Sequence, residues 1–101
     1  MTREIKLTVN DKPIQIDYFV AGFIDHTVTG MLAGLEGTAE GKIKSAEINI
    51  DGAAVAVNVD NSPLPINAFV IKIIGSTLKG LLSTLKGVDS QINTVALQIK
   101  K

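Results

Sequence analysis

The 101-residue chain contains no cysteine, no tryptophan, one histidine and three prolines, and only 4% of its residues are aromatic. Without cysteine there are no disulfides, thiolate metal sites or cysteine nucleophiles, and the redox compartment is left open. A lone histidine without cysteine makes a poor start for a transition-metal site, so no metal is expected. No apolar run reaches the roughly 18 to 20 residues that cross a bilayer, so no membrane span is expected. The opening stretch MTREIKLTVN alternates polar and apolar residues and lacks the apolar block of a signal peptide, so a cytoplasmic protein is expected. Neither sign of charge dominates: ten Lys and Arg face ten Asp and Glu. Nucleic-acid binders usually carry a basic excess, so no nucleic-acid partner is expected. Walker loops, Gly-x-Gly-x-x-Gly and Gly-x-Ser-x-Gly are missing too, and no cofactor is expected.

What is present is an ordinary globular composition, 46% hydrophobic and 20% charged, in a length that suits a single domain over 1–101. Within it lies a repeat. Shifted by fifty, VNDKPIQIDYFVAGFIDHTVTGMLAGLEG (9–37) lies over VDNSPLPINAFVIKIIGSTLKGLLSTLKG (59–87) without a gap, and eleven of 29 positions are identical. Past the helix the offset becomes 49, bringing Ile48 over Leu97 and Ile50 over Ile99. Repeat one covers about 4–50 and repeat two about 53–100. Two copies are too few for a solenoid, which points to a fused dimer with an approximate two-fold axis.

Each copy reads as strand, strand, helix, strand. Ile5, Leu7 and Val9 alternate with polar residues, as in a half-buried strand. Asn10-Asp11-Lys12-Pro13 is turn chemistry, and Ile14 and Ile16 suggest a short second strand. Asp17 and Asn67 sit where helix N-caps belong. The helices should run to about Glu36 and its counterpart, ended by Gly37 and Gly87 as left-handed residues. Ala46, Ile48 and Ile50 mark a third strand and Val95, Leu97 and Ile99 the last. Asp51-Gly52 predicts a type I′ hairpin turn between the copies.

The class is therefore α+β: an internal duplication of a ββαβ unit, with six strands and two long helices packed on an antiparallel-rich sheet. Strand order is harder to read. The right-handed crossover rule favours strand three beside strand one of the same copy, whereas the hairpin at 51–52 sets strand three beside strand four. Either the copies exchange third strands, or the strands split into two sheets or close into a barrel. A pseudo-two-fold six-stranded barrel would resemble the double-psi barrel architecture, although the Gly-Asp signature of that family is missing here. Separately, KLTVNDKPIQI (6–16) resembles the opening hairpin of ubiquitin-like β-grasp sulfur carriers. Those end in Gly-Gly, where this chain reads Gln98-Ile99-Lys100-Lys101, so the resemblance brings no carrier chemistry.

On a helix turning about 100° per residue, Val20, Phe23, Ile24, Thr27, Met31 and Leu35 share a face suited to the sheet. Their counterparts in copy two are Val70, Ile73, Ile74, Thr77, Leu81 and Leu85. Val28 and Leu32 widen the face on one flank, as do Ile71, Leu78 and Leu82 in copy two, and Phe19 and Phe69 widen the other. The arc is wider than one sheet contact needs, so a second chain, the other helix or an apolar ligand should cover the excess. Gly30 and Gly80 recur mid-helix, where glycine costs roughly 1 kcal/mol against alanine. Either another backbone approaches closely there, or a small residue merely fits the sheet. Helix one bears Asp17, Asp25 and Glu36 and no cation, and helix two bears Lys72, Lys79 and Lys86 and no anion. That split reads as solvated faces or as complementarity between molecules.

His26 beside Asp25 is the nearest thing to a catalytic pair, but adjacent helical residues diverge, and copy two has Gly75 and Ser76 there. The stretch 68–87 is similar to a cationic membrane-surface helix, yet it is the copy of a helix without basic residues. A non-enzymatic module that self-associates, as a homodimer, and serves in binding or assembly is expected. The alternative is a carrier of a small apolar ligand. The residues that would carry either role are Phe19, Phe23, Gly30, Met31, Phe69, Ile73 and Gly80.

Overall fold

A computed structural model of the chain describes residues 4–37, 40–88 and 91–101. Among them the elements are β1 (Glu4–Val9), β2 (Lys12–Pro13), α1 (Tyr18–Glu36), a 3-10 turn (Glu40–Lys42), β3 (Ser45–Asp51), β4 (Ala54–Val59), β5 (Ser62–Pro63), α2 (Ala68–Leu82) and β6 (Thr94–Lys100). The class is α+β. One open six-stranded sheet runs in the order β2-β1-β6-β3-β4-β5, antiparallel throughout. It does not close into a barrel, since β2 and β5 remain as edges.

The crossover expectation fails, and the sheet shows why. β3 pairs with β4 and β6, while β1 takes β6 as its long partner. The two-residue connection between Asp51 and Ala54 obliges β3 and β4 to be antiparallel neighbours. With β3 held there, β1 pairs with the last strand, and each first strand lies against the third strand of the other half. β3 and β6 meet at the centre, with Ile48 opposite Leu97.

Two turns secure this exchange. Asn10 and Asp11 have φ of 51° and 65°, and Asp60 and Asn61 have 50° and 67°. Asn and Asp tolerate this left-handed region, and two such residues in succession make the type I′ turn that suits the twist of paired strands. The Asn10 Oδ1 accepts from the backbone N–H of Asn93 at 2.7 Å and of Thr94 at 3.1 Å. The Asp60 Oδ1 accepts from Lys44 and Ser45, both at 2.9 Å. Each turn thus holds the start of the opposite half's third strand. Asp60→Ala is expected to lose about 1–2 kcal/mol of stability, through two lost bonds and an alanine at positive φ. Asp60→Asn keeps both features and should stay within about 0.5 kcal/mol of wild type. Urea titration of the two variants checks this; equal midpoints would show that the clamp contributes nothing.

Other expectations change in detail. The hairpin between β3 and β4 turns on Gly52-Ala53, with only Gly52 left-handed at φ 61°, which is the pattern of a type II′ rather than a type I′ turn. Strand two is Lys12–Pro13, not Ile14 to Ile16. The Ile14 N–H still bonds to the Leu7 carbonyl at 2.9 Å, after which Ile14 and Ile16 turn down against the core. Gly37, at φ 70°, ends α1 as expected. α2 stops earlier, at Leu82. The Ser83 and Thr84 hydroxyls donate to the carbonyls of Gly80 and Leu81, competing with the helical pattern. The caps hold: Asp17 and Asn67 accept from Val20 and Val70 at 2.8 and 2.9 Å.

One face of the sheet is buried, by Leu7, Val9, Ala46, Ile48, Ile50, Val57, Val59, Val95, Leu97 and Ile99, in a single cluster with both helices. The helices dock on a different stripe from the expected one. Ile24, Val28 and Leu32 are buried on α1, and Ile74, Leu78 and Leu82 on α2. Phe23, Leu35 and Ile73, assigned to the inward face, are exposed. Each helix is turned by about one residue step of 100°. The apolar arc offers more than one docking stripe, and the aliphatic row at i, i+4 and i+8 is the one that packs on the pleated surface.

Candidate functional site

The rotation of the helices creates the most conspicuous surface of the molecule. Tyr18 is 87% exposed, Phe19 76%, Phe23 52% and Phe69 69%. The Phe19 and Phe23 rings lie 6.4 Å apart, tilted by 41°. Together with Gly22, His26 and Thr27 these α1 residues line an open depression of about 570 Å³. Among the described residues no Lys, Arg, Asp or Glu lines it. Charged side chains normally populate the solvent face of a surface helix, and this face lacks them. On α2, Phe69 and Ile73 occupy the positions equivalent to Phe19 and Phe23 and are likewise exposed.

The sequence-derived site residues thus divide. Phe19 and Phe23 come together on α1, and Phe69 and Ile73 lie on α2, all turned to solvent rather than into the space between helices and sheet. Met31 packs partly buried against the core instead. Gly30 is half-buried, and Gly80 is exposed. A Cβ added at Gly80 would meet no atom within 4 Å, so no backbone of this chain approaches it closely. Gly80→Leu is therefore expected to keep the fold and raise stability by up to about 1 kcal/mol through helix propensity. A fall in melting temperature would reveal a contact at this position.

Asp25 and His26 sit in different surroundings. His26 is on the exposed face. Asp25 is 2% exposed, and its carboxylate lies 3.2 Å from the Lys101 ammonium. The Thr29 hydroxyl donates to the Asp25 backbone carbonyl and, at 3.3 Å, to its carboxylate. Among the described residues, α1 carries no acidic stripe either. Asp17 is spent as a cap, Asp25 is buried, and the Glu36 side chain lies outside the described residues. α2 keeps two of its expected cations: Lys72 is exposed, and Lys79 donates to the Gly52 carbonyl at 3.2 Å, whereas Lys86 is exposed but lies past the end of the helix at Leu82.

Comparison with family models, curated proteins and solved structures finds no match. The remaining surfaces are quieter. The uncovered face of the sheet carries exposed Ala54, Ala56, Ala96 and Asn49, with Thr8 opposite Ala96, around an open depression of about 390 Å³. Such a face is commonly solvated in antiparallel sheets. The sheet edges are two residues long, and each includes a proline, Pro13 or Pro63, which blunts them as templates for another strand. Among the described residues no cluster of three or more His, Asp or Glu could hold a metal, and no helix is long and apolar enough to cross a membrane.

Two features escaped the reading of the sequence. The Asn10 and Asp60 clamps stand at equivalent positions of the repeat, so their shared polarity was a usable signal. The Asp25–Lys101 pair had none, since copy two holds Gly75 in place of Asp25.

Proposed function

We propose that this chain is a non-enzymatic binding or assembly module that forms a homodimer through the outer face of its helix layer. The observation that carries the reading is the uncharged α1 face with Tyr18, Phe19 and Phe23 in solvent. At these exposures the three rings leave roughly 400 Å² in water. That already lies within the roughly 300–600 Å² of the largest patch on a typical monomer, which is often functional. Phe69 and Ile73 add exposed apolar surface on α2, and a stable interface takes roughly 800 Å² per partner. The short, proline-bearing edges of the sheet favour the helices over edge-to-edge pairing.

The same reading treats the chain as a fused pair of ββαβ units. The identities at an offset of fifty, the two equivalent clamps and the central pair of Ile48 with Leu97 support it. A unit of this kind would exchange its third strand with a second copy, and fusion would make that exchange internal.

Burial of apolar surface drives the association in this reading. It is worth about 25 cal/mol per Å², against about 0–1 kcal/mol for an exposed ion pair. Charge complementarity has little to work with, because among the described residues α1 offers Lys72, Lys79 and Lys86 no exposed acidic stripe. Sedimentation should therefore find a dimer at low and high salt alike. Changing Lys72, Lys79 and Lys86 together to Glu should leave it intact. Dissociation by salt or by the triple reversal would transfer the interface to the charges. A monomeric wild type at micromolar concentration would refute the dimer and move the weight to an apolar ligand seated on the same rings.

A further inference from the structure

The two halves differ most where α1 carries Asp25. In the first half, the helix flank bearing Asp25 and Thr29 is filled by the Lys101 side chain, which reaches the Asp25 carboxylate at 3.2 Å. The equivalent flank of α2 has the reverse chemistry. Gly75 stands in place of Asp25, and Lys79 in place of Thr29. Gly52 stands in place of Lys101: Gly52 N–H bonds to the Asn93 carbonyl at 2.8 Å, as Lys101 N–H bonds to Lys44 at 2.9 Å. The carboxylate and the long side chain that occupy the first flank are therefore both missing from the second. What remains is an open groove of about 250 Å³ between α2 and the β3–β4 hairpin. Its apolar lining includes Ile50, Val55 and Ile71, and its cations are Lys72 and Lys79.

Lys79 is half-buried, and among the described residues its recorded partner is the Gly52 carbonyl at 3.2 Å. The bond is exposed, so the other two donors of the ammonium are open to water or to a ligand. Among the described residues no carboxylate is paired with Lys79, which leaves it able to take an anion brought from outside. The apolar lining favours an anion with a hydrocarbon tail. The groove is smaller than the roughly 300–1,000 Å³ of sites for drug-sized ligands, which limits that tail to a few carbons.

We propose that this groove binds a short aliphatic carboxylate, with its head at Lys79 and Lys72 and its tail against Ile50, Val55 and Ile71. The groove lies on the flank of α2 that faces the hairpin, apart from Phe69 and Ile73, so the proposal does not depend on dimerisation. Hexanoate titrated into ¹⁵N-labelled protein tests it. Saturable shifts are expected at the amides of Gly52, Ala53, Gly75 and Lys79, with acetate and hexylamine binding at least tenfold more weakly. Lys79→Met should weaken hexanoate at least tenfold. Gly75→Asp should abolish binding by supplying an internal carboxylate; a Cβ there sits 3.9 Å from the Val55 methyl, an ordinary contact that the fold accommodates. Hexanoate shifts that do not saturate, acetate or hexylamine equalling hexanoate, or wild-type affinity in either variant would each overturn the proposal.

Discussion

Replacing Lys101 by Met is expected to cost about 3 kcal/mol of stability, at the lower end of the range for breaking a buried ion pair. The Asp25 side chain is 3% exposed and that of Lys101 16%. Methionine keeps most of the length and apolar character of the lysine stem, so the loss falls on the charge. The Asp25 carboxylate would then sit in the interior without the Lys101 ammonium, and α1 holds it there. For a domain of this size, 3 kcal/mol corresponds to a fall of about 10–20 °C in melting temperature. Asp25→Asn should cost less, because the flexible lysine can swing its ammonium to water whereas the carboxylate cannot leave. The double variant should recover part of the loss, since replacing both charges removes the desolvation that each single change leaves behind. A Lys101→Met protein melting within a degree or two of wild type would show that the carboxylate finds water or another donor.

Changing Phe19 and Phe23 together to Glu is expected to yield a folded monomer. Both rings are in solvent and outside the core cluster, so the substitutions remove nothing that the fold uses. Glutamate is a better helix former than phenylalanine, which should leave α1 intact. In a dimer, however, four carboxylates would enter a patch that carries no charged side chain, and each would have to shed its hydration. Sedimentation should show the mass halved at every concentration tested, with an unchanged far-ultraviolet circular dichroism spectrum. An unchanged dimer would place the interface elsewhere, with the open face of the sheet next in order.

The expected and observed structures agree and part at identifiable residues. Alternation placed the third strand at about 43–50 and the last at 92–99, each about two residues early at its start. It assigned the buried faces of all four long strands correctly, because side chains in a strand have a period of two and only one phase buries the apolar set. Asp17, Asn67 and Gly37 were legible for local reasons: a cap oxygen and a left-handed residue act within one turn of chain. Helix rotation was not legible. An arc from Phe19 through Ile24 to Leu32 permits several docking stripes, and periodicity does not rank them. The sequence therefore marked Phe19 and Phe69 as surplus apolar residues but turned Phe23 and Ile73 inward, where the structure leaves them exposed.

By itself, then, the sequence determined the number of long strands and helices, their inward phases in the sheet, the caps and the offset-fifty correspondence between halves. Each of these depends on contacts within a few residues or on a periodicity that the chain carries locally. The tertiary structure decided the pairing of β1 with β6 and β3 with β4, the face on which each helix docks, and the meeting of Asp25 with Lys101. These join residues as far apart as Glu4 and Lys100, and loop-closure entropy varies too slowly with length to favour one distant partner over another. The choice fell to packing: an antiparallel order that pairs every long strand, and an aliphatic stripe on each helix that fits the pleat while leaving the aromatic rings outside.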